Sequence, residues 1–194
     1  MSLEEIEAYF TRNDKTFAFA RWGRPIAPIV FGVEDETLRL FKATIEAVAT
    51  LASHPISETD PELGSNLMVF FFRNWKELRD VPKLDQIVPE LSSLVLKLEQ
   101  AKANQYRVFR FDKAGGIKAC FIFILMDEHL NTVSGETLCL SQIVQSILLW
   151  SDVAFLNASP LALLPSGGAI LRPEIGALIR AAYDPALAVY SDQP

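Results

Sequence analysis

The sequence predicts an α+β fold: a mixed β-sheet with helices packed on it, in the order β-α-β-α-β-β-α-α. Three observations carry this. Two apolar runs, LMVFFF (67–72) and FIFILM (121–126), have the length of buried strands and fall far short of the roughly 20 residues of a membrane span. Segments with apolar residues at three-to-four spacing stand between and after them. Two strand-like stretches flank Lys113-Ala114-Gly115-Gly116, a hairpin signal. At 194 residues, half of them hydrophobic and 13 of them Phe, the chain suffices for one substantial core.

Taken in order, residues 3–10 form a short acidic helix whose Ser2 and Glu5 have capping-box spacing. This helix belongs to an N-terminal extension, 1–15, ahead of a single domain over 16–190. The stretch TFAFARWGRPIAPIVFG (16–32) is partly alternating, and Pro25 and Pro28 confine a piece of it to a sheet edge or bulge. Behind the acidic Glu34-Asp35-Glu36, Leu38, Phe41, Ile45, Val48 and Ala52 mark a helix. SNLMVFFFR (65–73) reads as a buried strand, and Ile87, Leu91, Leu94, Val95 and Leu98 as the stripe of a second amphipathic helix. YRVFRFD (106–112) and IKACFIFILMD (117–127) are the hairpin strands. A third helix spans about 136–150, and a loop over 156–171 holds Pro160, Pro165, Gly167 and Gly168. Pro173 opens a last helix that stops at Asp184-Pro185.

A net charge of −6, with scattered basic residues, argues against electrostatic binding to nucleic acid or anionic lipid. No run is long enough to span a membrane, and MSLEEIEAYF has neither the basic nor the apolar region of a signal peptide. Cys120 and Cys139 are too few for a disulfide scaffold; they are two buried thiols or one bridge from strand to helix.

Residues 141–152, SQIVQSILLWSD, fit the frame of the zinc-protease pattern H-E-x-x-H-x-x-G-x-x-H-D without one of its ligands. Ser141 and Gln145 stand at the two histidine positions, Gln142 at the glutamate base, Leu148 at the glycine and Ser151 at the third ligand. Only Asp152 matches. Residues four apart share a helix face, so Ser141 and Gln145 keep a chelating geometry but offer neutral oxygens. The chain has only two histidines, His54 and His129, so a His-rich zinc site is excluded. No nucleophile elbow and no phosphate loop occur. No catalytic residue, metal or cofactor is therefore expected.

Further landmarks accompany this stretch: Arg21-Trp22 with Pro25-Ile26, Asn66 to Phe71, a late strand with a cysteine, and Ala182 to Leu187 reading A-Y-D-P-A-L. Together they resemble the bacterial domain of unknown function 2927 family over roughly residues 16–190. That resemblance implies a zincin-like, metallopeptidase-related fold, mostly exported members and a motif helix that already lacks the histidines. Ser141-Gln142 depart from the family's Glu-Glu, and Leu148 from its glycine. It also implies an edge strand, one of those between 106 and 126, beside a former substrate cleft.

The leading expectation is a non-catalytic zincin-like domain that binds a peptide or protein partner by strand addition. Two other readings stay open. One is an enzyme of unrelated class using carboxylates such as Glu136, Asp152 or Asp184. The other is an assembly protein whose apolar segment 156–171 forms an interface.

Overall fold

Strands covered on both faces set the architecture. A computed structural model describes residues 1–165 and 167–194; among these, four strands form the principal sheet. Strand β1 (Phe19–Ala20) is a short piece outside it, and β2 (Pro28–Phe31) lies at one sheet edge. Pro28, with no N–H to give, stands at the first position of that edge strand. Next inward are β3 (Leu67–Phe72) and β5 (Ile117–Leu125), and β4 (Gln105–Phe111) closes the other edge. β2, β3 and β5 run parallel, while β4 is antiparallel to β5. The structure is thus a mixed α+β fold with a sheet and packed helices.

Burial on both faces explains why β3 and β5 read as continuous apolar runs. Leu67, Val69, Cys120, Ile122 and Ile124 face one apolar layer. Met68, Phe70, Phe72, Phe121 and Phe123 face the other. Helices α2 (Asp35–Leu51), α5 (Gly135–Val144) and α6 (Pro173–Ala182) cover the first face through Phe41, Ile45, Ile143 and Ile179. On the second face pack a 3-10 turn (Trp75–Asp80) and helices α3 (Leu84–Ile87) and α4 (Leu91–Gln100).

Local chemistry sets the ends of these elements. Ser2 and Glu5 cap α1 (Leu3–Ala8) reciprocally. Ser134 accepts the N–H of Thr137 at the start of α5, and Pro173 occupies the first turn of α6. In the β4–β5 turn Asp112 accepts the N–H groups of Ala114 and Gly116, and Gly115 supplies the left-handed residue at φ 82°.

Three expectations change. The stripe from Ile87 to Leu98 is not one helix: Pro89 forces Val88 into an extended conformation and separates α3 from α4. The third helix ends at Val144 rather than near 150. Trp150 Nε1 donates to the Val144 carbonyl and Trp22 Nε1 to that of Ser146. The chain then leaves the helix to pair Leu148 with Arg21, with Leu149 N–H on the Ala20 carbonyl. The segment 156–171 is not a bare loop. It contains a hairpin of β6 (Leu161–Leu163) and β7 (Ala169–Leu171), and Ser166, part of the Ser-Gly-Gly piece, lies outside the described residues. Within residues 1–15, Phe10 is buried and stacks on Trp150. Strand β8 (Tyr190–Ser191) returns to pair with β1.

Among the described residues no helix is long and apolar enough to cross a membrane.

Candidate functional site

Strand alternation brings the site together. On β4, Gln105, Arg107 and Phe109 point toward the α5 face, and Tyr106 and Val108 toward the opposite layer. On α5, Gln142 presents its amide to β4, and Gln145 follows as the helix's C-cap residue. The i, i+4 relation survives this helix end: Gln145 Nε2 donates to Ser141 Oγ at 2.9 Å.

Arg107 fills the space between strand and helix. Its Nη2 donates to Gln142 Oε1 at 2.6 Å, and its Nη1 to Gln145 Oε1 at 3.2 Å. Gln142, fully buried, passes its own Nε2 to Gln105 Oε1 at 2.6 Å. Arg107 Nε is buried with no hydrogen-bond partner among the described residues, and no carboxylate pairs with the guanidinium there. Burial pulls its pKa down to about 10, which leaves it protonated at neutral pH.

A cleft of about 660 Å³ runs beside this network. Tyr106, Arg107 and Phe109 of β4 form one wall, and Leu149, Trp150 and Phe155 face them. Arg12 and Asp152 stand at its polar margin. Ser151 and Asp152 line the same cleft without joining the Arg107 network. The Ser151 N–H donates to the Tyr9 carbonyl at 2.8 Å, and Asp152 Oδ1 accepts the Asn13 N–H at 3.0 Å. These two motif positions therefore anchor the N-terminal segment against the cleft.

The zinc-protease pattern would place a zinc ion here, and the residues do not fit one. The available oxygens are neutral amides and a hydroxyl, two amide oxygens are already taken by Arg107, and the guanidinium would repel a divalent cation. Among the described residues no three His, Cys, Asp or Glu side chains gather into a metal-holding group. His54 is half-buried with Nε2 at 2.9 Å from the Arg24 carbonyl, and burial lowers its pKa. His129 is exposed.

The other candidates fall elsewhere. Glu136 sits in the first turn of α5, at the opposite helix end from Gln145, and Asp184 caps the Ala186 N–H after α6. Neither lines the cleft. Cys120 on β5 and Cys139 on α5 are buried free thiols, both pushed up to about 12 by burial. In the 156–171 segment Leu161 is buried while Leu163 and Leu164 are exposed.

Arg107 and Gln105 were not anticipated from the sequence. The usable signal was the alternation within QYRVFRF, which sets Gln105, Arg107 and Phe109 on one face opposite the motif helix. The other landmarks also meet. Tyr183 donates its hydroxyl to the Ile147 carbonyl at 2.7 Å and accepts the Trp22 N–H at 3.3 Å. Asn66 holds the Ala27 N–H at 2.7 Å and the Pro25 carbonyl at 2.9 Å.

No protein-family model matches the chain, and no curated protein and no solved structure matches it at a significant level.

Proposed function

We propose that the chain is a non-catalytic, zincin-like domain that binds an extended peptide or protein segment along β4. The observation that carries this reading is an open strand edge lying directly in a cleft. Leu125 N–H donates to the Asn104 carbonyl, so the antiparallel alternation turns the backbone of Tyr106, Val108 and Arg110 toward β5. The backbone groups of Gln105, Arg107 and Phe109 then point away from the sheet. Among the described residues β4 has no strand partner on that side. The Phe109 carbonyl is taken by the Arg110 guanidinium, which leaves the Arg107 N–H and C=O and the Phe109 N–H open to a ligand backbone.

Supporting this, the walls combine Phe109, Leu149, Trp150 and Phe155 with polar groups, suited to alternate side chains of an added strand. The zincin-like part of the proposal rests on the edge strand being antiparallel to its neighbour, on the motif positions lying beneath it, and on the contacts among the remaining landmarks. Loss of chemistry rests on Gln142, an amide that cannot act as a base where the protease pattern has glutamate.

The test is selection of displayed random peptides of about ten residues, long enough to cover one strand, on the immobilised protein. Hydrogen exchange follows with the enriched sequences. The amides of Arg107 and Phe109 should slow by an order of magnitude or more in the complex. Protection confined to other surfaces, or metal-dependent cleavage of the peptides, would refute the reading.

A further inference from the structure

Arg107 is a half-buried cation whose side-chain hydrogen bonds go only to neutral amides, and such a charge is costly where nothing compensates it. A guanidinium has five N–H donors. Nη1 gives one to Gln145 and Nη2 one to Gln142, while Nε is enclosed. The second hydrogens of Nη1 and Nη2 remain, on a side chain that lines the cleft. Among the described residues that line the cleft Asp152 is the single carboxylate, and its Oδ1 accepts the Asn13 N–H. Arg12, at the margin, adds a second positive charge.

We infer that the cleft selects an extended peptide with an acidic side chain, aspartate or glutamate, at the position paired with Arg107. This deepens the strand-addition reading and rests on it. The register follows from sheet geometry: residues directly opposite one another project to the same face. The ligand residue across from Arg107 therefore points toward α5, where the guanidinium lies. Ligand residues two positions to either side share that face. One lies opposite Phe109, beside Leu149 and Trp150, and is apolar or aromatic. The other lies opposite Gln105 and is polar.

A side-chain carboxylate is favoured over a chain terminus by position. Arg107 is in the middle of β4, with outward backbone both before it at Gln105 and after it at Phe109. A strand bound along this edge passes the guanidinium instead of ending at it.

The experiment uses the enriched peptides from the displayed library, resynthesised in three forms: parent, Glu→Gln or Asp→Asn, and C-terminal amide. Binding to the full 194-residue chain is read by fluorescence anisotropy. Neutralising the acidic residue should weaken binding to the wild type about tenfold or more. The same change should alter binding to the Arg107→Gln protein by less than about twofold, and Arg107→Lys should retain the preference. Terminal amidation should matter little.

Peptides that protect the Arg107 and Phe109 amides yet tolerate neutralisation would overturn the acidic preference and leave strand addition standing. Sensitivity to terminal amidation alone would overturn the side-chain assignment. Failure to enrich any peptide that engages β4 would overturn both. The parent-against-neutral comparison is made on the wild type, so it does not depend on any variant folding.

Discussion

Nη2 of Arg107 stands 2.6 Å from Oε1 of Gln142, and this one hydrogen bond joins the sheet edge to the motif helix. A protease pattern would place a general base at the helix position. Here an amide oxygen receives a guanidinium and relays its own N–H to Gln105. The network is a fixed, positively charged wall of a cleft.

Gln142 is the keystone of that wall. Gln142→Leu should destabilise the protein by about 1–3 kcal/mol, because it leaves a half-buried charged donor and the Gln105 oxygen without their partner. Urea unfolding of wild type and variant measures it. Gln142→Glu, which supplies a carboxylate in place, should abolish any preference for acidic peptides; a retained preference would show that Arg107 is not its source.

Metal content separates this protein from a hidden metalloenzyme. Protein purified without a metal-affinity step should carry less than about a tenth of an equivalent of transition metal. Chelator should leave its unfolding midpoint unchanged. Near one equivalent of zinc, removable by chelator, would place ligands elsewhere in the chain.

Tyr183 ties the last helix to the opening strand segment. Tyr183→Phe should cost about 1–3 kcal/mol through the lost bonds to Ile147 and Trp22. Burial raises the phenol's pKa well above its ordinary value of 10, so the folded state favours the neutral form. The stability this contributes is present below about pH 10 and is lost as pH rises further. Thermal melts above that pH should therefore fall less steeply for the phenylalanine variant than for wild type.

The two cysteines report on core integrity. With both thiols buried and raised from 9 to about 12, a thiol reagent at pH 8 should modify the native protein at least about a hundredfold more slowly than the unfolded chain. Their linkage has the same sign as that of Tyr183: stability falls as pH rises from 9 toward 12. Rapid native labelling would mean that the α5 layer opens.

Asp152 anchors a segment instead of an ion. Asp152→Ala should cost only about 0.5–1 kcal/mol globally, since its bond to Asn13 is exposed. Hydrogen exchange should rise at the Asn13 amide while β3 and β5 stay protected. Unchanged exchange at Asn13 would remove this anchoring role.

Much of this molecule was determined by the chain alone. The buried strands were legible because continuous apolar runs bounded by polar residues suit few other environments. The β4–β5 hairpin was legible because Asp112 and Gly115 satisfy a local backbone requirement. The 3.6-residue stripe of α2 and Pro173 at the start of α6 are equally short-range signals. The split between α3 and α4 was also local, set by Pro89, but the end of the third helix was set by distant partners. Nothing near Val144 announces a helix end, because the groups that take the released carbonyls include Trp22, more than a hundred residues away in sequence. Pairing with the β1 segment then draws Leu148 and Leu149 out of helical geometry. The site followed the same division. Ser141, Gln142, Gln145, Ser151 and Asp152 could be named from spacing, and so could the absence of histidine ligands among them. That Arg107 would fill the space beside Gln142 and Gln145, while Ser151 and Asp152 hold the N-terminal segment, was decided only when the sheet edge folded over α5. Hydrogen bonds and charge burial depend on which groups meet in space, and a linear pattern carries no distance between a strand and the helix it will face.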